Sequence, residues 1–595
     1  MTRLKVKETM YDLILRGGNI IDVRSRKIRK GDVLIKNGIV AGIEPSQNQN
    51  AKNTINIQGK YIAPGFIDSH LHVESSMLSP LEFSREAVRH GTTAIFVDPH
   101  EIANVLGRKG IELFLEQSGI VPLDMFVGIP SCVPATQLEN SGASLTVKDV
   151  KTLIPDKRIF GLAEMMNFPG IIYGLGDARE KVDFVFDAGK IVDGHCPGLT
   201  GEDLRKYISN GKDDNQVRIM SDHESINLDE AIEKNNLGMH IALRYGSATK
   251  DLERILPGLI KANISLDKFM ICSDDLDPIE LYEEGHVDRI IRKARNIIQE
   301  NSRLGFERAT ILAISLATIN SSRYFSRFFR LHNYPETGEI AEGKKANLVV
   351  FDSLEGMEID KVVHSGVLVV DNGELVGKHL DYDYSEFKGN VNTGKKFPPD
   401  DFKIIASGDE KSIDVKVIEI IRDSLETKLK IMPFAVHDKE LRADPEKDIA
   451  KIAVIERHKA TGSYSLGFVE GLGVKKGAIA STVAHDSHNL IIAGVDDESM
   501  AKASNFLSEK GGGMLVVADR IDYFPLKICG LMSTSKIEKV IDEYREIKEA
   551  TKRVGSRLEN TFMTMAFLAL PVIPKLKITN KGLVDVDRFE IVSLY

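Results

Sequence analysis

Only four cysteines occur in the chain, Cys132, Cys196, Cys272 and Cys529, and no two of them form a CxxC pair. That excludes a disulfide framework and points to a reducing compartment. No run of about 18 uncharged apolar residues occurs, so no membrane span is expected. The opening MTRLKVKETMYDLIL lacks an apolar core followed by a small-residue cleavage site, so no signal peptide is expected and the cytoplasm is the expected location. Positive charge is not in excess. A formal net charge of -9 and a pI near 6.0 advertise no basic face for nucleic acid or an anionic membrane. No GxxxxGK[ST] occurs, and the Gly-rich stretch at 462–473 lacks a phosphate-cradling spacing. What is present is 42% apolar and 28% charged residues in a chain of 595, soluble in composition and too long for one ordinary core.

The opening segments YDLILRGGNIID, GDVLIKNGIVAGI and TINIQGKYIAPG are β-branched runs bounded by Gly, Asn or Asp. The same texture returns in GKKANLVVFD and VVHSGVLVVDNGE. Between them, eight short apolar runs end in polar residues, recurring roughly every 30 residues, the length of a strand-plus-helix unit. After FKGNVNTGKKFPPDD the texture changes to mixed strands and helices. The expected fold is α/β: a (β/α)8 TIM-type barrel at 64–337, inserted in a small composite β-sandwich domain at 1–63 and 338–387, with a C-terminal α+β domain at 400–595.

In such a barrel the C-terminal ends of the strands face the active site. His70 and His72, in GFIDSHLHVESS, stand two apart and share one face of a strand. Later runs end at Glu164, His195, His223 and Asp274. Singly, each is most simply a solvated or hydrogen-bonded surface residue. Together, four histidines and two carboxylates make the ligand set for two divalent cations. His70, His72 and Asp274 are assigned to the first ion, His195 and His223 to the second, and Glu164 to the bridge. The donors are N and O only, which leaves manganese, iron and zinc open. Two such ions bring a shared water's pKa near neutrality, and Asp274 would pass the proton of the resulting hydroxide to a leaving group. Hydrolysis at a C–N or similar centre is expected.

APGFIDSHLH, the eight-unit pattern, the closing EGKKANLVVFD and the strand-eight Asp resemble the amidohydrolase superfamily. Many relatives carry Asp where Asn347 stands. Most binuclear members bridge their ions with a carboxylated lysine, whereas this chain offers Glu164 in GLAEMMNFPG. With DPHEIANVLG, DGHCPGL, SDHES and VAHDSHN, that substitution resembles the adenine deaminase family over nearly the whole chain. The resemblance implies adenine plus water giving hypoxanthine and ammonia, two manganese or iron ions, a purine base as substrate, a place in purine salvage and a homo-oligomer. The one-zinc base-deaminase pattern HxE…PCxxC is absent.

Attack at C6 needs an acid for a ring nitrogen. Glu224 is the preferred candidate and Glu74 the other, with a hydrogen bond to a ligand histidine as the plainer role of either. Asp98, His100 and Glu101 are expected to shape the pocket or hold an accessory ion, or else to cap the next helix. Arg244 is a substrate contact or, more simply, a salt-bridge residue. Tyr245 stands where the family carries a glutamate, which removes a charge from the mouth. His485, Asp486 and His488 could form a separate metal site, a lid or a hydrogen-bonded cluster. The competing enzyme is an N-acetylglucosamine-6-phosphate deacetylase-like amidohydrolase, which needs a phosphate-binding Arg/His cluster that the sequence does not display. A non-catalytic scaffold would have lost ligands, and here all six are present.

Overall fold

The computed structural model describes residues 10–44, 49–247, 249–378, 380–408, 410–422 and 424–595. The first nine residues of the expected composite β domain, 1–9, lie outside them. Two segments far apart in sequence, 11–64 and 348–375, share one nine-stranded sheet. Its seam is the antiparallel pair Tyr61–Pro64 and Leu348–Phe351, with Leu348 opposite Pro64 and Phe351 opposite Tyr61. Leu13, Leu15, Val33, Ile62, Leu348 and Val350 pack on one side of it as a small core. Burial of such side chains contributes about 1.5–3 kcal/mol each, so the sheet clamps the residues between its halves.

Between the halves lie eight parallel strands: β1 (Phe66–His72), β2 (Thr92–Val97), β3 (Asp124–Ile129), β4 (Ile159–Met165), β5 (Ile191–Gly194), β6 (Ser221–Asp222), β7 (His240–Arg244) and β8 (Phe269–Cys272). A short β9 (Asp274–Asp275) follows β8 after one residue. Six of these strands form one sheet in the order β5-β4-β3-β2-β1-β9, and three form a second in the order β6-β7-β8. All seven residues of β1 and of β4 are buried, as expected of parallel strands covered on both faces. Helices form in the connections for local reasons. Before Pro80–Arg89, the Ser79 side chain accepts the Glu82 N–H at 3.3 Å, and Pro80 opens the helix without a donor to waste.

Register places the strand ends side by side. Asp274 pairs with Leu71 and Asp275 with His72; Leu71 pairs with Val97, Gly194 with Met165 and Arg244 with Cys272. Between the strands and the segment 319–331, Phe96, Phe126 and Phe160 pack with Phe325, Phe328 and Phe329.

Residues 412–525 build an eight-stranded, mostly antiparallel sheet. Its alternation is two-sided. Ala453, Ile455, Ala480, Ile492 and Leu515 face the helix Asp497–Lys510 through Met500, Ala503 and Leu507. Ile452, Val454, Ile479, Ile491 and Val516 face the other way, into the large core that also holds Val540, Tyr544 and the β1–β4 strands. Hydrogen bonds fix this docking: Ser533 N–H to the Met77 carbonyl at 2.7 Å, Asn489 Nδ2 to the Asn140 carbonyl at 2.7 Å and Thr579 Oγ1 to the Leu138 carbonyl at 2.6 Å. No helix among the described residues is long and apolar enough to cross a membrane.

Candidate metal centre

Strand ends in common register bring five of the six predicted ligands into a buried cluster, with His195 at its partly exposed edge. His70 Nε2 and His72 Nε2 lie 3.3 Å apart. His72 Nε2 is 3.3 Å and His70 Nε2 3.8 Å from Asp274 Oδ1. On the other side, His70 and His223 stack with ring centroids 3.9 Å apart. Glu164 stands between the groups with its two oxygens facing different histidine pairs. Oε2 lies 2.8 Å from His195 Nδ1 and 3.1 Å from His223 Nε2. Oε1 lies 3.2 Å from His100 Nδ1 and 3.7 Å from His72 Nε2.

The donors fit cations better than they fit one another. His72 Nδ1 donates to the Asp98 carbonyl at 3.0 Å, so a neutral ring aims its Nε2 lone pair into the cluster. Both Asp98 carboxylate oxygens, Asp193 Oδ2 and His100 Nδ1 are buried without a hydrogen-bond partner. Such orphans cost about 1–3 kcal/mol each when nothing satisfies them. Three groups of ligand atoms close enough for one ion recur here: His70, His72 and Asp274; His70, Glu164 and His223; and His72, Asp98, His100 and Glu164.

Judged by protein groups alone, the cluster is strongly polarised. Burial opposes ionisation of Glu164, but His195, His100 and His223 drive its pKa well below the ordinary value. Burial likewise opposes ionisation of Asp274, and the Arg244 guanidinium and His72 overcome it. Burial works against the His223 cation, yet contact with Glu164 lifts its pKa to about 9. Glu74 and Glu101 move the other way. Burial raises Glu74 to about 7, and burial with the Glu74 charge raises Glu101 to about 8.

The remaining predicted residues surround this cluster. Arg244 donates to Asp274 Oδ2 at 2.9 Å, to Asp251 Oδ2 at 2.8 Å and, through both terminal nitrogens, to Glu224. Glu224 is therefore a carboxylate held by a guanidinium. Glu74 accepts the Ile102 N–H at 3.2 Å and so caps the helix His100–Leu106. Glu101 accepts from Ser75 Oγ at 3.2 Å and lies 3.4 Å from His485 Nδ1. His100 Nε2 is 3.7 Å from Asp486 Oδ1. Tyr245 turns away from the cluster, its ring under the cations of Lys250, Arg289 and Lys293 at 5.3–5.8 Å.

Sequence reading missed some neighbours. Asp193 Oδ2 lies 3.8 Å from His70 Nδ1, and the two-apart rule that singled out His70 and His72 also links Asp193 to His195. Met166, Phe168, Leu425, Phe567 and Leu570 line the same mouth, and an isolated apolar residue gives no sequence signal for that.

Residues 61–369 match the amidohydrolase family, and residues 424–590 match the adenine deaminase C-terminal domain. An adenine deaminase from Desulfatibacillum aliphaticivorans is 40% identical over 589 residues, covering 98% of this chain and 97% of that protein. One from Clostridium botulinum (strain ATCC 19397 / Type A) is 40% identical over 592 residues, 98% of this chain and 95% of that protein. One from Methanothrix thermoacetophila is 39% identical over 590 residues, 99% and 98% of the two chains.

Proposed function

The chain belongs to the adenine deaminase family of the amidohydrolases, and we propose that its buried cluster holds two divalent cations bridged by Glu164. Its reaction is hydrolysis at a C–N bond: water replaces the exocyclic amine at C6 of adenine, giving hypoxanthine and ammonia. The observation that carries the metal assignment is the division of Glu164, one oxygen toward His195 and His223, the other toward His72 and His100. His70, His72 and Asp274 complete one site, and His195 and His223 the other. When bound, the ion pair supplies the Lewis acidity that brings a water's pKa near neutrality. Manganese or iron is the preferred occupant, with zinc third.

The chain's own residues do the rest. Arg244 holds Asp274 by Oδ2 and leaves Oδ1 beside His70 and His72. Asp274 there takes the proton of the attacking water and returns it to the departing amine. The acid that protonates the purine ring must hold a proton near neutral pH. Glu224 is the weaker choice, because its charge is committed to Arg244. Glu101 lines the mouth, and burial favours its protonated form, so we assign it the ring proton. Asp98 orients His72 through its backbone carbonyl.

Around this centre we read the two parallel sheets as one (β/α)8 barrel at 64–337, set in a composite β domain of 1–63 and 338–387 and followed by an α+β domain at 400–595. The two-sheet pairing order supports that reading. We place the enzyme in cytoplasmic purine salvage as a homo-oligomer without nucleic-acid or membrane partners.

The test is ammonia release from adenine by protein reconstituted with manganese, iron or zinc, with bound metal counted per chain. Two equivalents with turnover are expected. Full activity with one equivalent overturns the bridge.

A further inference from the structure

The mouth above the cluster has two unlike halves. Barrel residues, among them His72, Glu164, His195 and Asp274, supply charge. The C-terminal chain supplies His485 and Asp486 and, beside them, an apolar face of Leu425, Phe567, Leu570, Val572 and Ile573. A purine has the matching division: a polar edge, where the chemistry occurs, and two flat apolar faces.

We propose that the C-terminal chain builds part of the substrate site, with Phe567 as the surface on which a flat heteroaromatic base stacks and Lys577 as the residue that positions it. This rests on the deaminase reading above. Phe567 closes the helix Thr561–Phe567. Its ring stacks on the His485 imidazole, with centroids 4.5 Å apart and planes 21° from parallel. His485 in turn reaches Glu101 across the domain boundary, so the aromatic pair is tied to the barrel's own carboxylate.

Lys577 explains why the wall holds its shape. It is buried, and its Nζ donates to the Leu425 carbonyl at 2.8 Å and the Phe567 carbonyl at 3.1 Å. Those two residues come from distant parts of the sequence, and both line the mouth. No hydrogen bond or ion pair links Lys577 to a carboxylate among the described residues. A buried amine whose donors are spent on two carbonyls has no other partner to move to, and one that spans two segments of the pocket wall fixes their separation. Met166 and Phe168 line the mouth from the barrel side, so apolar surface meets a bound base from both chain regions.

Steady-state kinetics with adenine and calorimetric binding of hypoxanthine, both on manganese-loaded protein, test this. Phe567→Ala is expected to raise KM and the hypoxanthine Kd roughly ten- to a hundredfold, with kcat within about threefold and bound metal unchanged. Phe567→Leu keeps bulk and fold but loses the aromatic face, and is expected to raise KM about fivefold or more; Phe567→Tyr restores it. Lys577→Met is expected to raise KM without altering metal content. Wild-type KM in Phe567→Leu, or a fall confined to kcat, overturns the proposal. A wild-type protein that binds two metals but releases no ammonia from adenine refutes the deaminase reading instead, and is seen in the same assay before any variant is compared.

Discussion

Two histidine clusters lie side by side at the mouth, and the backbone treats their rings in opposite ways. In the barrel, His72 Nδ1 meets the Asp98 carbonyl, which can only accept, so Nε2 is left with a lone pair. In the C-terminal chain, His488 Nδ1 meets the Ala484 N–H at 3.2 Å, which can only donate. The neutral ring then carries its proton on Nε2, which faces Glu101 Oε2 at 3.7 Å. Burial and the neighbouring cationic groups hold His488 neutral, its pKa well below the ordinary value. Glu101, His485 and His488 are close enough together to resemble a third ion site, yet the neutral His72 ring aims a lone pair inward whereas His488 aims a proton. The backbone group opposite a ring decides which of the two a histidine is for.

The sharpest way to break this comparison is Glu164→Gln. A neutral amide cannot serve two cations as a carboxylate does, and kcat/KM is expected to fall on the order of 10³-fold, with fewer than two metals per chain by elemental analysis. His488→Gln is the counterpart: it is expected to leave two metals in place, and a third equivalent that disappears in this variant would erase the distinction. Next in size, Asp274→Asn is expected to lower kcat on the order of 10²-fold and to change the pH–rate profile.

Stripping the metals should lower Tm, because ions that bind only the folded chain stabilise it by about 4 kcal/mol at a thousand times Kd. Calorimetry before and after chelation measures this, and an unchanged Tm would mean that the cluster does not bind the ions tightly.

The smallest effect concerns the roof. Burial lowers Lys577 to about 7 from an ordinary value of 10.5. Between those values the unfolded chain binds more protons than the folded one, so this residue makes stability rise with pH across that window, by up to about 1.4 kcal/mol per pH unit. The Tm of wild type should therefore rise relative to that of Lys577→Met as pH climbs from about 7 towards 10. A difference that does not change with pH would show that burial leaves the Lys577 pKa at its ordinary value.

The convergence of histidines and carboxylates at the strand ends was legible because strand geometry turns a two-residue spacing into a shared face, and because the apolar runs ended in polar or charged residues. The same rule was available for Asp193 and His195 but was applied only to the first pair. The nine-stranded sheet was legible from matching β texture at 11–64 and 343–374. Other features could not be read. Glu224 looked free to act because nothing in a sequence shows that the Arg244 guanidinium closes on it. The proton position on His488 depends on a single N–H four residues earlier. Phe567 and Leu425 reach the mouth only through tertiary docking, with no local pattern to announce it.

The rings packed among the strands have a consequence for traffic. Phe96, Phe126 and Phe160 lie against Phe325, Phe328 and Phe329, and the mouth beside the ligand residues is shared with the C-terminal chain. A base that enters there passes the C-terminal chain on its way to the cluster, so substitutions along that seam are expected to change the pace of product departure as well as of entry.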